Sequence, residues 1–394
     1  MSRNQIGLCD SEPVASNSQQ TLTDRSILLK CFEKKKLLII IISVIIVVLV
    51  VTIPTVIIKT KTTNTIKLST EPRDTATEEF TTTTTDNPST EVQTKPKYKK
   101  WKQHGITIAG GNGQGNQSNQ LSSPHGIYID DNTSILIADR DNKRIVEWKS
   151  NSIIGQIIKV GSAGDGLDPL YMPFEVTVDK QKNAIIICDV GIKRVIRWFR
   201  ENQTNSENLA AGILCGGVTI DQNGSIYSSV WNNHMVVRWK GGDKDAIVVA
   251  GGFGQGDDLN QLEKPSFVFV DKDHSIYVSD TGNQRIMKWK KGAKQGIVVA
   301  GGNGYGNNFN QLFEPYGVVV DNLGQIFIAD CSNHRIMRWR EGDTEGSVVV
   351  GGNGQGDDPN QLYRPTDLSF DIEGHLYVAD TDNHRIQKYE LYIE

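Results

Sequence analysis

From about residue 100 onward, apolar and polar positions alternate with a period of two, as in Val318 and Val320, then Ile326 and Ile328. Each short run stops at an Asp-x-x-Gly or Asp-x-x-Asn turn. That period belongs to short antiparallel strands. From Pro315 the pattern predicts an inner strand over Gly317–Val320, a turn over Asp321–Gly324 and a second strand over Ile326–Ala329. A turn over Asp330–His334, a third strand over Arg335–Trp339 and an outer strand over Ser347–Val350 complete the unit. The unit recurs about every fifty residues, most plainly at Ala246–Trp289 and Gly296–Trp339. Four strands per repeat make one blade of a propeller. Trp148, Trp198, Trp239, Trp289, Trp339 and Tyr389 each end a third strand, so six blades are expected.

The count leaves a remainder. The sixth unit reaches Glu394 without an outer strand, whereas Trp101–Gly111 reads as the end of a unit that has no beginning. The segment Gly105–Ala109 is therefore expected to pair with Arg385–Tyr389 and close the ring, which leaves no open sheet edge.

The first hundred residues have another character. Residues 1–36 form a tail, and Leu37–Ile58 is a run of 22 uncharged, mostly Ile, Val and Leu residues. That is long enough to cross a bilayer as a helix. Residues 59–100 follow as a stalk, with fourteen Thr between Thr60 and Pro96 and too few large apolar groups to fold. The propeller is assigned to residues 101–394. Charges flanking the span hardly orient it. The Thr-rich stalk does so better, together with the N-x-S/T sequons at Asn116, Asn132, Asn202 and Asn223, all C-terminal to the span. The expectation is a single-pass type II protein of the cell membrane with an extracellular, glycosylated propeller. Cys188, Cys215 and Cys331 are odd in number and show no framework spacing, so free, partly buried thiols are expected.

The pattern of Pro, inner strand, Asp, Gly, second strand, Asp, then Asn-x-Arg and a third strand resembles the NHL repeat family. Asp330, Asn333, Arg335 and Asp380, Asn383, Arg385 carry it most plainly. The resemblance spans Trp101–Glu394 and implies a six-bladed NHL β-propeller, an all-β fold. It says little about activity, because function resides in sites grafted onto a fold.

Most conspicuous motifs have structural explanations. The recurring pairs Asp139 with Arg144, Asp189 with Arg194, Asp280 with Arg285, Asp330 with Arg335 and Asp380 with Arg385 are equivalent in five blades, and catalysis needs asymmetry. They are expected to be hairpin ion pairs with Asp capping the turn. His234, His334 and His384 share one turn slot and fall under the same argument. The strings GGNGQG and GGFGQG follow an outer strand and precede no helix, so they do not cradle phosphate.

Departures from the repeat are more informative. After the Pro slot, inner strands carry His125, Glu175 and Asp367 on three successive blades. A carboxylate, imidazole, carboxylate set at a channel mouth would suit calcium or zinc, or acid and base work. Six-bladed relatives such as lactonases and amidating lyases imply that alternative, a membrane-tethered metal-dependent hydrolase or lyase. Blade 3 lacks about eleven loop residues before it and has Val230, Trp231 and Met235 where its Asp–Arg turn should be. With Tyr316 these predict an apolar notch for a ligand. From Trp101 the chain carries 28 Lys and Arg against 36 Asp and Glu. That acidic balance argues against nucleic acid, the partner of some intracellular NHL propellers. The leading expectation is a recognition module for an extracellular protein or glycan, with no cofactor.

Overall fold

The chain divides into two units, Met1–Glu91 and Val92–Glu394. A computed structural model describes residues 99–158, 169–201, 206–240 and 245–392, all in the second. The tail, the apolar run 37–58 and the stalk up to residue 98 lie outside the described residues. Among those that are described, no helix is long and apolar enough to cross a membrane.

The described residues form six four-stranded antiparallel sheets, the blades of a propeller. Blade 1 comprises Pro124–Ile129, Ile135–Asp139, Arg144–Trp148 and Gln156–Ile158. Blade 5, the most regular, comprises Pro315–Val320, Gln325–Asp330, Arg335–Arg340 and Ser347–Gly351. Inner strands of blades 2, 3, 4 and 6 are Pro173–Asp179, Cys215–Ile220, Val268–Val270 and Pro365–Phe370. Blade 6 takes its outer strand from Ile106–Gly110, with Ile106 opposite Lys388 and Gly110 opposite Arg385. The expected closure is therefore present, shifted by one residue. A second clasp was not foreseen. Lys100–Trp101 pairs with Leu391–Tyr392, and Trp101 Nε1 donates to Gly374 O at 2.9 Å. The propeller thus begins before the predicted boundary at residue 101.

Six apolar clusters hold the ring together, each spanning one seam between adjacent blades. The aromatic residue at or one before the end of each third strand sits inside a seam, from Trp239 at 8% exposed to Tyr389 at 0%. Burying such a ring removes on the order of 150–250 Å² from water. That contributes roughly 4–6 kcal/mol per seam as an upper bound.

Corresponding strands of the six blades run in the same direction, which defines two faces. One face carries the turns between first and second strands, such as Asp371–Gly374. The other carries the turns between second and third strands and the loops linking blades. The chain enters on the first face, beside Gly374, and its Ile106–Gly110 strand runs toward the second.

Candidate functional site

On the loop face, one polar network recurs. In blades 1, 4, 5 and 6 the Arg Nε (Arg144, Arg285, Arg335, Arg385) donates to the Asp Oδ2 at 2.7 Å. The other Asp oxygen accepts a backbone N–H from the incoming loop, as from Phe313 to Asp330 at 2.7 Å. Each guanidinium reaches on to loop carbonyls, Arg335 to Asn307, Asn308 and Gln311. Asn333 bridges Asp330 and Gly306 O. The blade 2 pair is looser, Arg194 to Asp189 at 3.4 Å. These pairs thus fold the Gly-rich loops onto the blades, as structural hairpin pairs. Gly301 starts such a loop at φ +67°, where a Cβ would lie 2.5 Å from Gln284 O, so only glycine fits. The shared histidine slot is a left-handed residue, at φ 54°, 55° and 53° in His234, His334 and His384. Their Nδ1 atoms accept the N–H of Lys264, Arg364 and Ser123 in the next loop, each at 3.1 Å.

Blade 3 closes its seam differently. Cys188 and Cys215 form a disulfide, which corrects the expectation of free thiols; of the three, only Cys331 is free, and it is buried. Cys215 occupies the slot that holds Pro in the other five blades. It therefore faces the end of the blade 2 second strand, although 27 residues separate the two cysteines. Val230 and Met235, expected at an exposed turn, pack with that disulfide: Val230 is fully buried and Met235 half-buried. The reason is geometric, since the ends of the paired strands point into the seam. Trp231, one residue on, is 42% exposed.

Trp231 and Tyr316 line the same cavity of about 230 Å³ on the loop face, with Phe174, Gly216, Lys264, Ser266 and Glu314. Here the sequence-derived notch has a physical counterpart, minus Val230 and Met235. Burial pushes the Tyr316 phenol up to about 12, so it stays a neutral hydrogen-bond donor. Around it, two loops expose aromatic rings where other loops carry Asn or Gln: Phe253 at 63% and Tyr305 at 74%. Sequence reasoning missed both, although the comparison of Phe253 with Asn303 and of Tyr305 with Gln355 was available.

The third candidate set lies deeper. His125, Glu175 and Asp367 are 1%, 6% and 5% exposed, below the face rather than at a mouth. The His125 ring packs on Phe174 at 3.6 Å between centroids and lies 5.8 Å from Phe267 and 5.7 Å from Tyr316. These rings form a plug. Phe174 and Tyr316 line the notch above it, whereas Phe267 lines a central channel of about 580 Å³ below. The channel contains Glu175 and Asp367 and runs to Lys180, Asp221 and Gln222 on the opposite face. Asp367 accepts the N–H groups of Ile127 and Leu368, both at 2.8 Å. Glu175 Oε1 accepts only its neighbour Val176 N at 3.1 Å, and Oε2 has no partner among the described residues. Burial pushes the Asp367 carboxyl up to about 8. Burial and then the charge of Asp367 drive Glu175 well above the usual carboxylate range. Burial also holds His125 down to about 3, so it is neutral. Gly126 lies between the acids; a Cβ there would approach Glu175 Cδ to 2.8 Å.

As a metal centre, this set fits poorly. His125 Nδ1 lies 3.0 Å from Phe174 O and the ring is enclosed by the plug. Among the described residues, the one triad with ligand atoms within 4.8 Å of one another is Asp371, Glu373 and His375. There Asp371 Oδ1 is already taken by turn N–H groups of Glu373 and His375. Of the sequons, Asn116, Asn132 and Asn223 are exposed, and Asn202 lies outside the described residues.

Comparison with known proteins agrees with this architecture. No curated protein matches the sequence. The NHL repeat model matches residues 314–338 and 362–389. An auxiliary nutrient binding protein from Bacteroides thetaiotaomicron superposes with a TM-score of 0.58 at 15% identity, over 75% of this chain and 77% of its own. A protein of unknown function from the same organism gives 0.59 at 17%, over 73% and 76%. A gluconolactonase from Xanthomonas campestris gives 0.52 at 15%, over 70% and 88%. At such identities the likeness is one of fold. Two matched repeats and a six-bladed ring, four of whose blades carry the Asp–Asn–Arg set, support an NHL-repeat β-propeller protein.

Proposed function

We propose that this propeller is an extracellular recognition module on a single-pass membrane anchor, binding a protein or glycan through its loop face. The observation that carries the proposal is the notch beside Trp231, a cavity in which Phe174, Trp231 and Tyr316 meet Lys264, Ser266 and Glu314, with Phe253 and Tyr305 exposed on the adjoining loops. Aromatic anchors in such pockets dominate interface energetics, and exposed apolar patches mark binding surfaces. The fold likeness to nutrient-binding proteins is compatible with a binding role. The Cys188–Cys215 disulfide supports an oxidising location, as do three exposed sequons. Leu37–Ile58 supplies the anchor in this reading, with the small tail in the cytosol. Trp101 Nε1 meets Gly374 O on the face opposite the notch.

The full chain, displayed on cells, is to be screened against extracellular proteins and glycans. Trp231→Ala is expected to weaken the partner found at least tenfold. Ile372→Ala, at a residue 75% exposed on the opposite face, is expected to leave it unchanged. Equal binding by both variants refutes the assignment to the notch.

A second reading, a membrane-tethered metal-dependent hydrolase or lyase with calcium or zinc, draws on the buried pair Glu175 and Asp367 and on the gluconolactonase fold. Stoichiometric metal in the purified chain, lost in Glu175→Gln and Asp367→Asn, is its test.

A further inference from the structure

Two carboxyl groups face the inner end of a 580 Å³ channel, and the ring does not need them there. The equivalent slots on the other four blades are Gly126, Gly217, Phe267 and Gly317, so neutral residues close the same architecture. Burying an acid without a partner costs several kcal/mol in general. The groups that face this pair do not offset that cost. His125, beside them, is neutral, and Arg140 and Asp141 act on it with opposite signs from beyond the plug. Farther along the channel, Asp179 faces Arg197 at 3.3 Å, Lys180 faces Asp131 at 2.8 Å, and Asp221 faces His274 at 3.3 Å.

We infer that the channel is a binding site for an organic primary ammonium ion, which enters from the face opposite the notch and places its charged head between Glu175 and Asp367. Three observations carry this. Glu175 Oε2, in a residue 6% exposed, has no donor partner among the described residues, and an ammonium offers three N–H donors. The channel volume lies in the range of small-molecule sites, roughly 300–1,000 Å³. Its walls next to the acids combine apolar and hydroxyl groups, with Phe269 and Val319 beside Tyr128, Thr177, Thr219 and Ser369, which suits an organic body. A bare calcium ion takes about six to eight oxygen ligands, whereas both Asp367 oxygens and Glu175 Oε1 already accept backbone N–H groups. This site is separate from the notch and does not depend on the function proposed for it.

Binding is expected to be proton-linked. Below the titration range of the pair the carboxyls are protonated and attract a cation weakly. Burial holds both carboxyls above the usual carboxylate range, so the pair gains its negative charge only as pH rises, while a primary amine stays charged to about 10. Calorimetry on the full chain in nanodiscs uses n-hexylamine as the probe, with n-hexanol, n-hexanoate, calcium chloride and zinc chloride as separate arms. The expected result is one hexylamine per chain, bound at least tenfold tighter at pH 8.5 than at pH 6, with proton release read from buffers of different ionisation enthalpy. Neither hexanol nor hexanoate binds. Glu175→Gln, nearly isosteric, weakens hexylamine at least tenfold, and Asp367→Asn flattens the pH dependence. Hexanol binding as tightly as hexylamine overturns the inference, as does unaltered hexylamine binding in Glu175→Gln. Calcium or zinc binding at the pair in preference to the amine overturns it equally.

Discussion

Blades 3 and 5 solve the same problem, sealing the seam on the loop face, with opposite chemistry. Blade 5 receives a long Gly-rich loop and fastens it with a fully buried Asp330, bonded to Arg335, Asn333 and Phe313 N. Blade 3 receives only the short connection 212–214, whose Leu214 O accepts the N–H of Trp231. It replaces the Asp–Arg pair with Val230 and Met235 and crosslinks the seam through Cys188–Cys215. The comparison shows that the ion pairs exist to hold loops. Where the loop disappears, the charges disappear with it, and the vacated surface becomes the notch beside Trp231.

The largest effect is expected from imposing half of the blade 3 solution on blade 6. Asp380→Val leaves Arg385 buried without its carboxylate, which costs about 3–5 kcal/mol. Thermal unfolding is expected to drop by roughly 2–4 °C for each kcal/mol. Adding Arg385→Met removes the stranded charge and is expected to recover part of the loss. A double variant as unstable as the single shows that the carbonyl contacts of Arg385, not its charge pairing, hold the loop.

Next in size is the crosslink. Replacing both Cys188 and Cys215 by Ala opens a loop with a sequence separation of 27, worth about 3.5 kcal/mol by loop entropy. Reducing agent is expected to lower the unfolding temperature of the natural chain and leave the double variant unaffected. An unchanged melting temperature in the variant makes the apolar packing of Val230 and Met235 the sufficient seal.

The smallest effect concerns the histidine slot. Burial and then Arg364 lower the pKa of His334, whose Nδ1 must be unprotonated to accept Arg364 N–H. The unfolded chain therefore takes up a proton first, and this contribution to stability is lost as pH falls below the ordinary histidine value of about 6.5. Blade 4 has Gln284 in the same slot, and its Oε1 accepts Glu314 N–H at 2.7 Å. His334→Gln is expected to be silent at pH 8 and to flatten the acid limb by about 1 kcal/mol or less. An acid limb identical in the two chains assigns the pH dependence elsewhere.

Local pattern sufficed for the blades because alternation, turn residues and the repeat all act within about fifty residues. The closure by Ile106–Gly110 was legible as well, since an orphan strand and a missing one must pair to avoid an open edge. Trp231 and Tyr316 stood out as departures from the repeat, and both line the notch. Val230 and Met235 stood out equally and are packed into the seam, because a departure in sequence does not say which side of a strand it faces.

What the sequence determined by itself is therefore everything periodic: six blades, their strands, the Asp–Arg pairs and the ring closure. Only the tertiary structure decided which of the rare residues meet. It joined Cys188 to Cys215 across a seam and set Glu175 and Asp367 on either side of Gly126, beneath a plug of rings from blades 1, 2, 4 and 5. The physical reason is that such contacts depend on closing the ring, which brings blade 6 beside blade 1 although more than two hundred residues separate them along the chain.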